Sequence, residues 1–135
     1  MRVLVVEPGY EPYEKEIEDT LAAKQEIVGG LLTVSYPYEE KIGIVSNDES
    51  ILLGMEFNRS IPGGYGGIFG PFFVCGLGEE DFISLTDEEI ARFKKEFHKA
   101  EVLIGVQGNE PVTLKVEPKK KDPGERPRKP QHPER

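Results

Sequence analysis

A glycine-rich segment that also holds aromatic residues and an arginine has the residue types best suited to binding a ligand. Backbone amides of a glycine loop can form a nest for an anion, because glycine adopts left-handed conformations at little cost. A guanidinium pairs with phosphate or carboxylate, and an aromatic ring can stack on a base. The candidate ligand-binding residues of this segment are Asn58, Arg59, Gly63, Gly64, Tyr65, Gly66, Gly67 and Phe69.

The same segment matches no phosphate-binding motif. It contains no G-x-x-x-x-G-K-[ST] sequence, and Phe69 stands where a G-x-G-x-x-G motif beginning at Gly64 would need its last glycine. No helix is predicted directly after it. A glycine loop without a ligand is therefore the favoured interpretation, and in so acidic a chain Arg59 is more often an ion-pair partner than a ligand clamp.

Three adjacent carboxylates, Glu79, Glu80 and Asp81, are the other group capable of chemistry. They could bind a hard cation or act as acid and base. Because they lack the alternate spacing of a calcium loop, a solvated turn is favoured, and they remain weak metal candidates. Cys75 lies in an apolar run typical of a buried, inert thiol, and His98 has no partner in sequence. The sequence therefore predicts no catalytic residue, no cofactor and no enzyme, with a carboxylate base as the least favoured alternative.

Charge is distributed unevenly along the 135 residues, whose formal net charge is −8. Residues 118–135 hold seven basic and three acidic residues, a net charge of +4, so residues 1–117 carry −12. An acidic body repels phosphate backbones, which makes it a poor partner for nucleic acid. The basic tail could bind nucleic acid weakly, or it could fold back on its own acidic body.

Apolar runs in this chain are short. None approaches the eighteen or so residues of a membrane span, and Glu7 interrupts the first one too early for a signal peptide. A single cysteine agrees with a reducing compartment. These features predict a cytoplasmic protein that does not contact membranes.

Hydrophobic periodicity predicts a compact α+β domain over residues 1–117, with one small mixed β-sheet and two helices packed on one of its faces. Thr86 to Glu89 forms a capping box that opens the second helix, which is expected to end near Lys99. Residues 118–135 are rich in proline and charge and predict a disordered tail. The predicted helices span 12–28, whose first turns are rich in acidic residues, and 86–99. The predicted strands span 2–6, 31–36, 42–46 and 72–75, with 42–53 as a hairpin. Residues 102–106 could be a strand or an extended linker, and 112–116 could be a last edge strand.

Several short motifs, taken together, resemble an uncharacterised family, the domain of unknown function 3846. The resemblance covers about residues 2–100, and such proteins are typical of bacteriophages, plasmids and conjugative elements. It implies no activity, cofactor or catalytic residue. Residues 62–67 and the basic tail depart from the family's usual pattern. The motifs are 3–9 with Pro12-Tyr13, 16–17 with 25–30, Tyr36-Pro37-Tyr38, Asn47-Asp48-Glu49, Asn58-Arg59 and 72–82.

The leading functional hypothesis is a small non-enzymatic accessory protein of a phage or mobile element that binds a protein of its bacterial host. The absence of a catalytic pattern and the acidic body motivate it. One alternative is a protein that binds a nucleotide or phosphorylated signal through the glycine-rich segment. Another is an inhibitor that mimics DNA through its carboxylates.

Overall fold

A computed structural model describes residues 1–62 and 66–120, and these residues form ten strands and two helices. The helices are α1 (Leu21–Val28) and α2 (Asp87–Glu96). The strands are β1 (Arg2–Val6), β2 (Tyr13–Glu16), β3 (Leu32–Ser35), β4 (Ile42–Asn47), β5 (Phe57–Ile61), β6 (Gly66–Phe69), β7 (Phe72–Leu77), β8 (Phe82–Ile83), β9 (Ala100–Gln107) and β10 (Glu110–Val116).

The central sheet has six strands in the order β2-β1-β7-β4-β3, with β8 paired to β7. Strands β5 and β6 form a separate hairpin, and so do β9 and β10. Every strand pair in the described residues is antiparallel. The α+β class is confirmed, but the single mixed sheet is wrong: the described chain has three sheets. Its hairpins account for the difference, because a short connection joins antiparallel neighbours.

Both faces of the central sheet are buried, each by a different helix. Successive side chains of a strand point to opposite faces. Leu4 belongs to the core that includes Phe93 of α2, whereas the adjacent Val5 belongs to the core that includes Val28 of α1. The helices therefore lie on opposite faces, and the prediction that both pack on one face is wrong. The unbroken apolar run of β1 fits a strand buried on both sides.

The segment predicted as one helix over 12–28 contains the four-residue strand β2 followed by the eight-residue helix α1. Tyr13 pairs with Val5 and Glu16 pairs with Arg2, so residues 13–16 form an antiparallel hairpin with β1. Thr20 then caps α1: its hydroxyl accepts a hydrogen bond from the amide of Ala23 at 3.1 Å. Of the four acidic residues that suggested the first turns of a helix, Glu14 and Glu16 lie on the exposed side of this edge strand, and Glu18 and Asp19 lie between β2 and α1.

The helix predicted from Thr86 is confirmed, and both hydrogen bonds of its capping box are present, at 2.9 and 3.1 Å. It ends at Glu96, one turn before the predicted end. The hairpin predicted over 42–53 is wrong, because residues 51–53 form a turn in which Leu52 is 85% exposed. Neither helix in 1–62 and 66–120 has the length and hydropathy needed to cross a membrane.

The first residues of the predicted tail are attached to the domain. The amide of Lys119 donates to the carbonyl of Gly9 at 2.9 Å, and the amide of Glu11 donates to the carbonyl of Lys119 at 3.0 Å. This parallel bridge ties the chain after β10 to the turn that follows β1. Residues 121–135, where most of the predicted disorder falls, lie outside the described residues.

Candidate functional site

Arg59, favoured as an ion-pair partner and considered as a counter-charge for a bound anion, is fully buried in β5. Its Nε and Nη2 donate to the carbonyl of Phe97 at 3.1 and 2.9 Å, and Nη2 also donates to the carbonyl of Tyr10 at 2.6 Å. Burial lowers the pKa of Arg59 to about 10, and the nearby charge of Glu101 partly offsets that shift. The guanidinium lies beyond the last turn of α2, where the helix dipole stabilises a cation.

Asn58, beside it, is also fully buried. Its Nδ2 donates to the carbonyls of Val6 and Gly70, both at 2.9 Å, and its Oδ1 accepts from Nη1 of Arg59 at 2.8 Å. Together the two side chains join β1, the β5–β6 hairpin and the end of α2. A ligand approaching from solvent does not meet either of them, so in this fold they support the packing of the domain.

The described glycines of the segment serve the β5–β6 hairpin. Gly66 lies opposite Ile61 in the pairing of the two strands. A Cβ atom on Gly67 would lie 2.5 Å from the ring of Phe57, and that ring packs edge-on against Phe69 with centroids 5.3 Å apart. Glycine is needed at position 67 for this close approach. The remaining candidates, Gly63, Gly64 and Tyr65, lie outside the described residues.

A cavity of about 350 Å³ adjoins Gly66 between the β5–β6 and β9–β10 hairpins. Three carboxylates and one lysine line it, which disfavours an anionic ligand. The buried Glu101, which the sequence did not single out, accepts through Oε1 from the amide and hydroxyl of Ser60 at 3.1 and 2.8 Å and from Thr113 at 3.0 Å. Its charged neighbours in the lining are Glu96, Glu110 and Lys115.

The other residues that could take part in catalysis or bind a metal lie apart from one another. Glu79, Glu80 and Asp81 are exposed on the turn before β8, and no group of three or more His, Cys, Asp or Glu residues in the described chain is placed to hold a metal ion. Cys75 is fully buried, as predicted, and burial raises the pKa of its thiol to about 12. A protonated, inaccessible thiol is a poor nucleophile. His98 is exposed just beyond α2.

A larger groove of about 1280 Å³ lies beside α1, with residues of α1 and β2 in its lining. Ile27, Met55 and Pro71 contribute half-buried apolar surface, and the buried Ile17 and Val28 also belong to the lining. The charged residues of its lining are five glutamates and one lysine: Glu7, Glu16, Glu18, Glu26, Glu56 and Lys15. We call this the acidic groove. The sequence did not predict it, because its glutamates come from separate parts of the chain.

Strand β2 places an edge of the central sheet beside the acidic groove. It is the last strand of the central sheet on its side, and among the described residues no other strand pairs with its outer edge. Tyr13, Lys15 and Glu16 of this strand all line the groove. The hydroxyl of Tyr13 donates to Glu7 at 2.7 Å, and the Met1 amine donates to Glu16 at 2.9 Å. An extended segment in the groove would therefore run beside an open strand edge.

The described residues define a small α+β domain with one helix on each face of an antiparallel sheet and a groove beside an edge strand. The chain belongs to the family described as a domain of unknown function (DUF3846), which matches residues 1–98. No curated protein and no solved structure matches it. The matched range holds all the residues that line the acidic groove, together with Arg59 and Phe97, and it ends before β9.

Proposed function

We propose that this protein is a non-enzymatic binding module that holds a basic segment of another protein in the acidic groove. The observation that carries the proposal is the composition of the lining, five glutamates and one lysine around apolar side chains. The volume of about 1280 Å³ exceeds the 300–1,000 Å³ typical of small-molecule pockets and suits a peptide.

The charged and the apolar residues of the groove would contribute to binding of the partner in different ways. Glu18, Glu26 and Glu56 are exposed, so they would attract a cationic partner over a distance and raise its rate of association. Met55 and Ile27 are half-buried and offer surface that apolar side chains of the partner could cover. The outer edge of β2 adds backbone groups to which an extended chain could hydrogen bond.

The identity of the partner is a separate part of the proposal. A protein from the bacterial host of a phage or mobile element fits the family resemblance, which is the sole support for it. A mimic of DNA would need its carboxylates spread over one face, whereas these five glutamates line a groove. The nucleotide alternative has little support, because the side chains of Asn58 and Arg59 are buried and bonded within the protein.

A fluorescein-labelled peptide of alternating lysine and leucine tests the proposal by fluorescence polarisation, with alternating glutamate and leucine as its control peptide. The basic peptide is expected to bind, and the acidic one is not. Replacing Glu26 and Glu56 by lysine should weaken binding at least about tenfold, since two attractive charges become repulsive. The matched control replaces Glu79 and Glu80 by lysine, which changes the net charge equally at an exposed turn outside the groove. Equal weakening in both double variants, or no binding at all, would overturn the proposal.

A further inference from the structure

We propose that the acidic groove also binds the chain's own C-terminal segment, residues 121–135, which then competes with the partner. This inference rests on the groove of the proposed function. The covalent path of the chain brings the start of this segment close to the groove. The backbone of Lys119 is hydrogen bonded to Gly9 and Glu11, and Glu7 and Pro8, immediately before this turn, line the groove. The segment therefore starts beside one end of the groove.

Length is sufficient for the segment to enter the groove. Residues 121–129 number nine, and a proline-rich chain in the polyproline II conformation advances about 3.1 Å per residue, or roughly 28 Å in all. Strand β2, which lies along the groove, has four residues and is about 13 Å long. A chain that leaves from Lys119 can therefore pass the whole length of β2 before residue 129.

Charge is complementary between the two parts. Residues 121–135 contain five basic and three acidic residues, and three of the basic ones, Arg126, Arg128 and Lys129, fall within four positions. This short cluster is opposite in charge to a lining that holds five glutamates. Arginine suits such a site, because its planar guanidinium can form two parallel hydrogen bonds to one carboxylate.

Proline content favours docking by side chains rather than by strand pairing. Pro123, Pro127, Pro130 and Pro133 lack amide hydrogens and cannot complete a ladder with the edge of β2. A proline-rich segment loses little conformational entropy on binding, and such segments dock on aromatic and apolar grooves. Tyr13, half-buried in the lining, supplies an aromatic ring.

Covalent attachment makes even weak docking effective. A short flexible connection holds a ligand at an effective concentration of roughly millimolar, so a segment with millimolar intrinsic affinity would occupy the groove about half of the time. A partner peptide must then displace it. The measured affinity for that peptide should be about two- to tenfold weaker than in a chain whose segment cannot dock.

The first test uses the full chain with Arg126, Arg128 and Lys129 replaced by glutamine. Binding of the lysine–leucine peptide should tighten by about twofold or more. The matched control replaces Lys41, Lys94 and Lys95, three exposed cations outside the groove, by glutamine and should leave the affinity unchanged. If the peptide binds the unaltered chain and both variants equally, the docking inference is wrong while the proposed function stands.

The second test detects docking without any added peptide. Gln131→Cys provides a site for a nitroxide spin label, and the fully buried Cys75 is protected from the reagent. Docking predicts broadening of the amide signals of Ala22, Ala23 and Glu26, and loss of that broadening in the triple glutamine variant. If the groove signals are not broadened, the docking inference is wrong. If they are broadened but the chain binds no added peptide, the docking inference stands and the proposed function is wrong.

A mixture of two differently labelled chains distinguishes docking within one molecule from docking between two molecules. Spin-labelled chain without nitrogen-15 is combined with nitrogen-15 chain that carries no label. The inference predicts no broadening in this mixture. Broadening of the groove signals there would assign the segment to a second copy of the chain and overturn docking within the molecule.

Discussion

Arg59 and Phe97 are joined by two hydrogen bonds, from Nε and Nη2 of the guanidinium to one carbonyl oxygen, at 3.1 and 2.9 Å. The carbonyl belongs to the residue that caps the C-terminus of α2, and both residues are buried. The same guanidinium reaches the carbonyl of Tyr10 after β1. A single side chain thus holds β5, the end of α2 and the turn after β1 in one arrangement.

Replacing Arg59 by alanine is expected to lower the free energy of unfolding by about 3 kcal/mol or more. The carbonyls of Phe97 and Tyr10 would lose the guanidinium as a donor, and the removed side chain would leave a cavity. Urea denaturation followed by circular dichroism measures the change. Lys94→Ala, at an exposed site of α2, is the control and should stay within about 0.5 kcal/mol of the unaltered protein. A loss below about 1 kcal/mol for Arg59→Ala would contradict this structural role.

Adding a methyl group at Gly67 is expected to destabilise the β5–β6 hairpin. The new Cβ would lie 2.5 Å from the ring of Phe57 and 3.3 Å from the carbonyl of Arg59, so Gly67→Ala should cost about 1–3 kcal/mol. Thermal denaturation of the single and double variants checks the cause. In a background of Phe57→Leu the cost of the added methyl should fall. Equal costs in both backgrounds would show that the ring is not what excludes a side chain at Gly67.

Cys75 should react with a thiol reagent only after unfolding. The thiol is fully buried, and burial raises its pKa from 9.0 to about 12. The unfolded chain therefore ionises first as the pH rises, so the stability that this group contributes is complete below about pH 9 and is lost between pH 9 and 12. By pH 10 the loss is on the order of 1 kcal/mol.

The Cys75→Ala variant isolates this dependence from that of other groups. Its stability should decline less between pH 8.5 and 10 than that of the unaltered protein, as measured by urea denaturation at each pH. Parallel declines in the two proteins would contradict a raised thiol pKa. Rapid labelling of Cys75 at pH 8 without denaturant would contradict its burial.

Glu101 is expected to hold the β9–β10 hairpin on the rest of the domain. Its Oε1 accepts from Ser60 of β5 and from Thr113 of β10, so Glu101→Ala would leave these half-buried donors without this acceptor. A loss of about 1–3 kcal/mol is expected, with faster amide hydrogen exchange in β9 and β10. Glu110→Ala, on the same hairpin but exposed, should change neither quantity. Unchanged exchange in the Glu101 variant would rule out this attachment.

Local sequence patterns were sufficient to predict several elements of the fold. The capping box at Thr86 and the apolar face of α2 predicted a helix that the fold contains, because both signals lie within a few turns of one another. The apolar run at β1 and the buried setting of Cys75 were predicted for the same reason. Residues 12–16 misled, because their acidic character suits a helix start as well as an edge strand, and only pairing with β1 decides between them.

The sequence alone determined the residue types of the candidate site but not their accessibility. Arg59 was expected to be an ion-pair partner, or a counter-charge if an anion bound nearby. The structure instead buries it as a donor to backbone carbonyls, whose residues lie 38 and 49 positions away in the chain, and no local pattern indicates such distant acceptors. The acidic groove likewise gathers glutamates from the turn after β1, from β2, from the segment between β2 and α1, from α1 itself and from the segment before β5. Composition established that the body is acidic; tertiary structure decided where that charge surrounds a concave surface, since concavity arises from the packing of distant elements.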